Sequence, residues 1–226
     1  MQPQPQACLF DLDGLLLDTE PLHSEAWQRA SLHFGKTLTN KQLLFLRGRR
    51  RLDCITKICE WAGGHIHPQE FLEVHQPISR ELLLKAKAMP GAEDLINFCS
   101  NNQIPIALVT SSSTKSFLFK SAPHPWLKKI NTRVLGDDKD LLRGKPAPDP
   151  FLLAAKRLKV NAKNCWALED SDSGIKSALE AGCKVWVLTN EDSKLRENSL
   201  QLYQNPFYID HLNFVLTKLK NIQDKK

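Results

Sequence analysis

Hydrophobic positions along this chain follow two rhythms. Short apolar runs, bounded by polar or turn-forming residues, occur at Ala7-Cys8-Leu9-Phe10, Ile104 to Val109, Thr132 to Leu135, Cys165 to Leu168 and Lys184 to Leu188. Runs of that length predict buried strands. From about Leu15 to Met89 the apolar spacing is helical, with no strong strand, and Met89-Pro90-Gly91 breaks it. Asp149-Pro150 reads as an N-cap followed by proline in the first helical turn, ahead of Phe151, Ala154, Ala155 and Leu158 at helical spacing. Ser171 or Asp172 is the predicted cap of another helix, striped by Ile175, Ala178 and Leu179 and closed by Gly182.

Strands alternating with helices predict an α/β fold with a Rossmann-like parallel sheet and right-handed crossovers. The helical stretch interrupts that sheet after its first strand, so it is expected to form a separate lobe. The predicted division is a catalytic core from residues 1–16 plus 89–226 and an inserted all-helical cap domain over 17–88. No internal repeat and no low-complexity segment is visible.

Composition narrows the class. Hydrophobic residues make up 42% and charged residues 25%, a globular balance that excludes a disordered, collagenous or coiled-coil chain. No apolar run approaches the ~18 residues of a membrane span, and Met1 to Gln6 has no secretory pattern. The expectation is a cytoplasmic monomer without membrane or nucleic-acid partners. The six cysteines (8, 54, 59, 99, 165 and 183) form no C-x-x-C pair and are expected to be reduced core residues. His65 and His67 are expected at the surface. The net charge of +6 favours anionic partners. Its strongest concentrations are Arg47-Gly48-Arg49-Arg50-Arg51 and the tail lysines Lys218, Lys220, Lys225 and Lys226. No basic stretch is interleaved with aromatics as a nucleic-acid groove requires.

The chemistry gathers at strand ends, where open parallel sheets bind ligands. Strand one ends in Asp11-Leu12-Asp13-Gly14, strand two in Thr110-Ser111-Ser112 and strand four in Glu169-Asp170, while Lys145 precedes a helix. Like charges ~4 Å apart repel by ~4 kcal/mol at an effective dielectric of 20. Asp11, Glu169 and Asp170 therefore stay ionised together only with cations among them. Mg²⁺, a hard ion that takes oxygen ligands and a substrate phosphate, suits that set. Lys145 adds positive charge, and a phosphate dianion can then approach. Asp11 and Asp13, two residues apart on an extended chain, share a side and can divide labour. One is a nucleophile; the other, kept protonated, donates to the leaving oxygen. A calcium loop beginning at Asp11 would need glycine and glutamate where Leu16 and Leu22 stand. The serines after Thr110 lack the glycines of a Walker loop.

These segments resemble the haloacid dehalogenase superfamily of phosphohydrolases, in the β-phosphoglucomutase-like and phosphatase subgroup with a helical cap. The resemblance lies in Phe10-Asp11-Leu12-Asp13-Gly14 with Asp18-Thr19-Glu20, Leu108-Val109-Thr110-Ser111-Ser112, Gly144-Lys145-Pro146-Ala147-Pro148-Asp149, and Leu168-Glu169-Asp170-Ser171 with Gly174-Ile175. It spans residues 7 to about 190. The resemblance implies Asp11 as the nucleophile that forms an aspartyl-phosphate. Asp13 would be the general acid and base, its main-chain carbonyl also touching Mg²⁺. Thr110 and Lys145 would hold the transferring phosphoryl group, and Glu169 with Asp170 would complete the metal site.

Substrate choice is expected in the cap. Thr19, His23 and Trp27 follow an i, i+4, i+8 spacing and share a helix face. The resemblance places His23 toward the cleft, near Asp13. Thr19, His23, Ser111 and Ser112 are taken as substrate-binding candidates. Arg51 is the arginine chosen to grip an anionic part of the substrate. The expected activity is a Mg²⁺-dependent phosphatase acting on a small phosphorylated metabolite, a sugar phosphate in the first instance. The alternative is a phosphosugar mutase. It is disfavoured because Ser113 stands where the mutase pattern has a basic residue, with Lys115 two residues later.

Overall fold

In the computed structural model of the chain, residues 4–189 and 206–224 are described. The elements in chain order are β1 (Ala7–Phe10), β2 (Leu17–Asp18), α1 (Glu20–His33), α2 (Asn40–Leu46), α3 (Arg51–Trp61) and α4 (Pro68–Leu83). They continue with β3 (Lys87–Ala88), α5 (Ala92–Asn101), β4 (Ile106–Val109), α6 (Thr114–Ser121), β5 (Thr132–Val134) and α7 (Asp149–Arg157). The last are β6 (Cys165–Glu169), α8 (Asp172–Glu180), β7 (Lys184–Leu188), β8 (Phe207–Ile209) and α9 (Asn213–Gln223). Among the described residues, one parallel sheet runs in the order β5-β4-β1-β6-β7-β8. The fold is the expected α/β parallel sheet with flanking helices.

Side-chain alternation along the strands sorts the sheet into two unequal faces. One receives Cys8 and Phe10 of β1, Ile106 and Leu108 of β4, Trp166 and Leu168 of β6, and Trp186 and Leu188 of β7. α5 and α9 cover it through Leu95, Ile96, Val215 and Leu219. The opposite face receives Ala7, Leu9, Ala107, Val109, Cys165, Ala167, Val185 and Val187. These are smaller side chains, and the helices on this side answer with alanines: Ala154 and Ala155 of α7, Ala178 of α8. Apolar side chains cover both faces, so β1 is buried along its whole length.

The helices α1 to α4 enclose a third core, built on Trp27, Leu46, Ile55, Ile58 and Phe71. α2 begins with a capping box, in which Thr39 and Gln42 satisfy each other's backbone N–H groups. Residues expected to lack strands carry one ribbon: β2 pairs antiparallel with β3, Leu17 opposite Ala88 and Asp18 opposite Lys87. Two-residue strands have no periodicity to read, which is why helical spacing concealed them. β8 was likewise not anticipated; it pairs with β7 at the sheet edge.

Ser171 caps α8, its hydroxyl accepting from the Gly174 N–H at 3.1 Å. Asp149 differs from expectation. It is the first helical residue of α7, not its cap, and its carboxylate pairs with Arg143 at 2.9 Å. All six cysteines are buried and free, and His65 and His67 are exposed. No helix among the described residues is long and apolar enough to cross a membrane. The tail lysines Lys225 and Lys226 lie outside the described residues.

Candidate active site

The carboxyl ends of β1, β4 and β6 meet at one edge of the sheet. β1 delivers Asp11, and the chain turns at Gly14, whose φ of +86° is a left-handed conformation that glycine adopts freely. A Cβ at Gly14 would stand 2.2 Å from Asp170 Oδ2, so the turn and the acid occupy space that only glycine leaves open. β6 delivers Glu169 and Asp170. The Glu169 carboxylate lies against the first turn of α8, where a Cβ at Gly174 would fall 2.0 Å from Glu169 Oε1. Glu169 Oε2 also accepts from Ser171 Oγ at 3.2 Å.

Lys145 ties these strand ends together. Its Nζ donates to Asp11 Oδ1 and to Glu169 Oε1, both at 2.5 Å, and to the Val109 carbonyl at 2.9 Å. Burial works against its charge, but Asp11 and Glu169 outweigh burial and raise its pKa. Asp11 is 4% exposed. Burial pushes its carboxyl well above the usual range, Lys145 pulls the other way, and Glu169 and Asp13 add to the rise.

Asp11, Glu169 and Asp170 each offer a carboxylate oxygen, all within 4.8 Å of one another and all buried. With Lys145 this set carries three negative charges and one positive. The donors are hard oxygens, and the residual negative charge fits a small divalent cation such as Mg²⁺. Such an ion would also favour the ionised form of Asp11, against the burial that raises its carboxyl.

Asp13 sits apart from that trio, in a cage of donors. Lys120 Nζ donates to Asp13 Oδ1, and to Oδ2 at 2.6 Å. Thr19 Oγ1 donates to Oδ1 at 2.7 Å and Ser112 Oγ to Oδ2 at 2.8 Å. His23 Nε2 lies 3.3 Å from Oδ1, and Thr110 Oγ1 3.5 Å from Oδ2. Burial raises the Asp13 carboxyl, but Lys120 and His23 together overcome it and leave it well below the usual range. In this arrangement the donors around Asp13 favour its carboxylate form. Chief among these donors is Lys120, a buried lysine of α6 that is not among the candidates read from the sequence.

The remaining candidates fall into place around this pair. Thr110 Oγ1 accepts from the Ser112 N–H at 3.1 Å. Thr19 and Ser112, the substrate-binding candidates, both donate to Asp13. Ser111 Oγ donates to the Gly48 carbonyl at 2.8 Å, and Ser173 Oγ donates to the Arg47 carbonyl at 3.2 Å. These bonds seat the arginine-rich loop of the helical lobe on the sheet edge. Arg47 pairs with Glu20 at 3.0 Å, and Arg49 lies 4.1 Å over the Phe45 ring. Arg51 lies largely buried in a cavity of about 470 Å³ whose walls also include Asp11, Asp13, His23, Ser112 and Trp27. Its pKa is lowered by burial, against the pull of Asp13.

With this geometry in view, comparisons with known proteins agree. The profile of the haloacid dehalogenase-like hydrolases matches residues 5–182. The chain is 32% identical over 183 residues to (DL)-glycerol-3-phosphatase 2 of Arabidopsis thaliana, covering 78% of this chain and 76% of that one. It is 30% identical over 180 residues to a phosphorylated carbohydrates phosphatase of Thermotoga maritima, covering 78% and 82%. Among solved structures, a HAD hydrolase of Entamoeba histolytica superposes with a TM-score of 0.75 at 28% identity, over 96% of this chain and 99% of that one.

Proposed function

The chain belongs to the haloacid dehalogenase-like hydrolases, and on that premise we propose that it is a Mg²⁺-dependent phosphatase that cleaves a small phosphorylated metabolite, of the sugar-phosphate class, through an aspartyl-phosphate on Asp11. One observation carries the reading: Asp11 stands in the same buried cluster as Glu169 and Asp170, with Lys145 bridging it to Glu169. Phosphoryl transfer needs chiefly positioning and neutralisation of charge, and this cluster supplies both. Asp11, Glu169 and Asp170 would hold Mg²⁺, which supplies positive charge to the phosphoryl oxygens.

In the first half-reaction an Asp11 carboxylate oxygen attacks phosphorus and the ester P–O bond breaks. The leaving oxygen takes its proton from the Asp13 carboxyl, which is left as the carboxylate. Lys120, hydrogen-bonded to both Asp13 oxygens, steadies that carboxylate once the proton has gone. In the second half-reaction a water attacks the acyl phosphate. Asp13 takes the proton of that water, and inorganic phosphate leaves with Asp11 restored. The donors that lower the Asp13 carboxyl, Lys120 and His23, suit the carboxylate form needed for this base step. Thr110 and Lys145 are assigned to the phosphoryl oxygens, His23 to the cleft wall beside Asp13, and Arg51 to an anionic part of the leaving group. The helical lobe over residues 17–88 acts as the cap.

The mutase alternative receives less support. Ser113, at the position where a mutase has a basic residue, is engaged as the N-cap of α6, accepting from the Ser116 N–H. The nearby lysine, Lys120, is committed to Asp13 and Ser112. The relatives named above are phosphatases.

The test is a phosphate-release screen over a panel of phosphorylated metabolites with Mg²⁺, alongside β-glucose 1-phosphate with a trace of the bisphosphate. Free phosphate from a sugar phosphate is the expected result. Isomerised sugar without phosphate release would replace the phosphatase reading with the mutase one.

A further inference from the structure

The cavity that opens from Asp11 and Asp13 continues between α1 and α4, where Trp27, Arg51, His75 and Gln76 contribute to its wall. His75 has no role in the chemistry described so far. It projects from α4, is 1% exposed, and lies flat on the Trp27 ring, centroids 3.8 Å apart and planes 13° from parallel. Neither Nδ1 nor Nε2 has a hydrogen-bond partner. Buried polar side chains in folded proteins nearly always find one.

The surroundings of this ring favour its neutral form. Burial, and then the charges of Arg51 and His23 facing it, push its pKa down to about 2. A neutral imidazole carries one N–H donor and one bare acceptor nitrogen. Arg51 and His23 are themselves cavity-wall residues, so His75 stands on the same side of the lobe as the substrate space. A histidine whose role was only to fill the core would be matched by phenylalanine, which stacks as well and leaves no polar atom unsatisfied. His75 belongs to the cavity wall and its two nitrogens are buried without a partner, which a ligand group that both donates and accepts would supply. A hydroxyl does both; an aryl ring does neither.

We propose that His75 is a specificity-determining residue whose imidazole hydrogen-bonds a hydroxyl on the leaving group of a polyol or sugar phosphate. The inference rests on the phosphatase reading and refines its substrate class: hydroxylated leaving groups are selected over bare aryl or alkyl ones. A site built to bind a hydroxyl discriminates against an analogue lacking it because its own polar atoms are then left buried without a partner.

The experiment compares His75→Phe with His75→Gln. The first keeps a ring on Trp27 and removes both nitrogens; the second keeps a donor and an acceptor and removes the ring. kcat and KM are measured for glycerol 3-phosphate, glucose 6-phosphate and p-nitrophenyl phosphate. For the better of the two hydroxylated substrates, the kcat/KM ratio over p-nitrophenyl phosphate is expected to fall roughly tenfold in His75→Phe, mainly through KM, on the scale of one lost hydrogen bond. His75→Gln should regain part of that ratio. His75→Leu, smaller and equally apolar, gives the same reading if the phenylalanine ring proves too tight to fold. A ratio within twofold of the parent in the apolar variants, or an equal fall in His75→Gln, would overturn the role of His75. A parent enzyme that releases phosphate from none of the probes would instead overturn the phosphatase reading, and this inference with it.

Discussion

Lys120 Nζ lies 2.6 Å from Asp13 Oδ2 and 2.7 Å from Ser112 Oγ, although 107 residues separate the lysine from the aspartate. The lysine side chain is fully buried, and its ammonium spans both oxygens of the carboxylate. A lysine buried so completely persists only where its charge is matched. Asp13 and Lys120 therefore stand or fall as a unit, and the unit sits against the cavity.

That pairing predicts a kinetic effect. Lys120→Met should lower kcat by about a hundredfold, the scale of a displaced general acid or base, while Lys120→Arg recovers part of the loss. Steady-state kinetics on p-nitrophenyl phosphate reads this directly. A Lys120→Met enzyme with parental kcat would show that Asp13 is positioned without the lysine.

Asp11 is assigned the covalent step, and an amide in its place cannot form the acyl phosphate. Asp11→Asn should reduce phosphate release by at least roughly a thousandfold. Because the swap is isosteric and removes a charge from a crowded acidic cluster, the variant should still fold. Substantial remaining turnover would move the nucleophile elsewhere.

Metal dependence has its own probe at Gly174. An added Cβ would fall 2.0 Å from Glu169 Oε1, so alanine there must push the carboxylate out of place. Activity should vanish with a chelator and return with Mg²⁺. In Gly174→Ala the Mg²⁺ concentration for half-maximal activity should rise at least about tenfold, as loss of support for a ligand does elsewhere. An unchanged Mg²⁺ titration would remove Glu169 from the metal set.

Arg51 separates substrate recognition from chemistry. Arg51→Ala should raise KM for a sugar phosphate far more than for p-nitrophenyl phosphate, by about tenfold against little change. Equal shifts for both substrates would remove Arg51 from leaving-group recognition.

Stability offers a prediction away from the site. Arg157 Nη2 donates to Asp138 Oδ1 at 2.8 Å, and Arg157 Nη1 contacts Asp138 Oδ2. This pairing holds the Asp138 carboxyl below its ordinary value. A carboxyl lowered in the folded state contributes stability above its unfolded pKa and loses it as pH falls through the folded one. Arg157→Ala should therefore cost about 1–2 kcal/mol near neutral pH, and the gap from the parent should narrow below about pH 4. Melting curves at pH 7 and pH 3 test this; a gap independent of pH would assign the loss to packing.

The sequence was legible where local pattern and chemistry coincide. The runs at Ala7, Ile106, Cys165 and Val185 became strands because four consecutive apolar residues are buried together in the sheet. Asp11, Glu169 and Asp170 converged because each follows such a run. Lys120 was not legible: it lies among Ser116, Phe117 and Phe119 in a short helix, where a lysine reads as a solvated charge. His75 was hidden for the same reason, since its helix shows neither that its ring stacks on Trp27 nor that its nitrogens lack partners. The ribbon of β2 and β3 is too short to leave a pattern at all. What sequence concealed was contact across distance, not the nature of the groups.

The arginine-rich loop is clasped to the sheet edge by its main chain. Ser111 and Ser173 hold the carbonyls of Gly48 and Arg47, and a Cβ at Gly48 would fall 2.1 Å from Ser171 Oγ. The latch therefore needs a glycine and two peptide oxygens, and asks nothing of the arginine side chains at 49 and 51. If Arg51 grips the substrate as proposed, a change there alters what is accepted while the loop stays fastened to the strand ends.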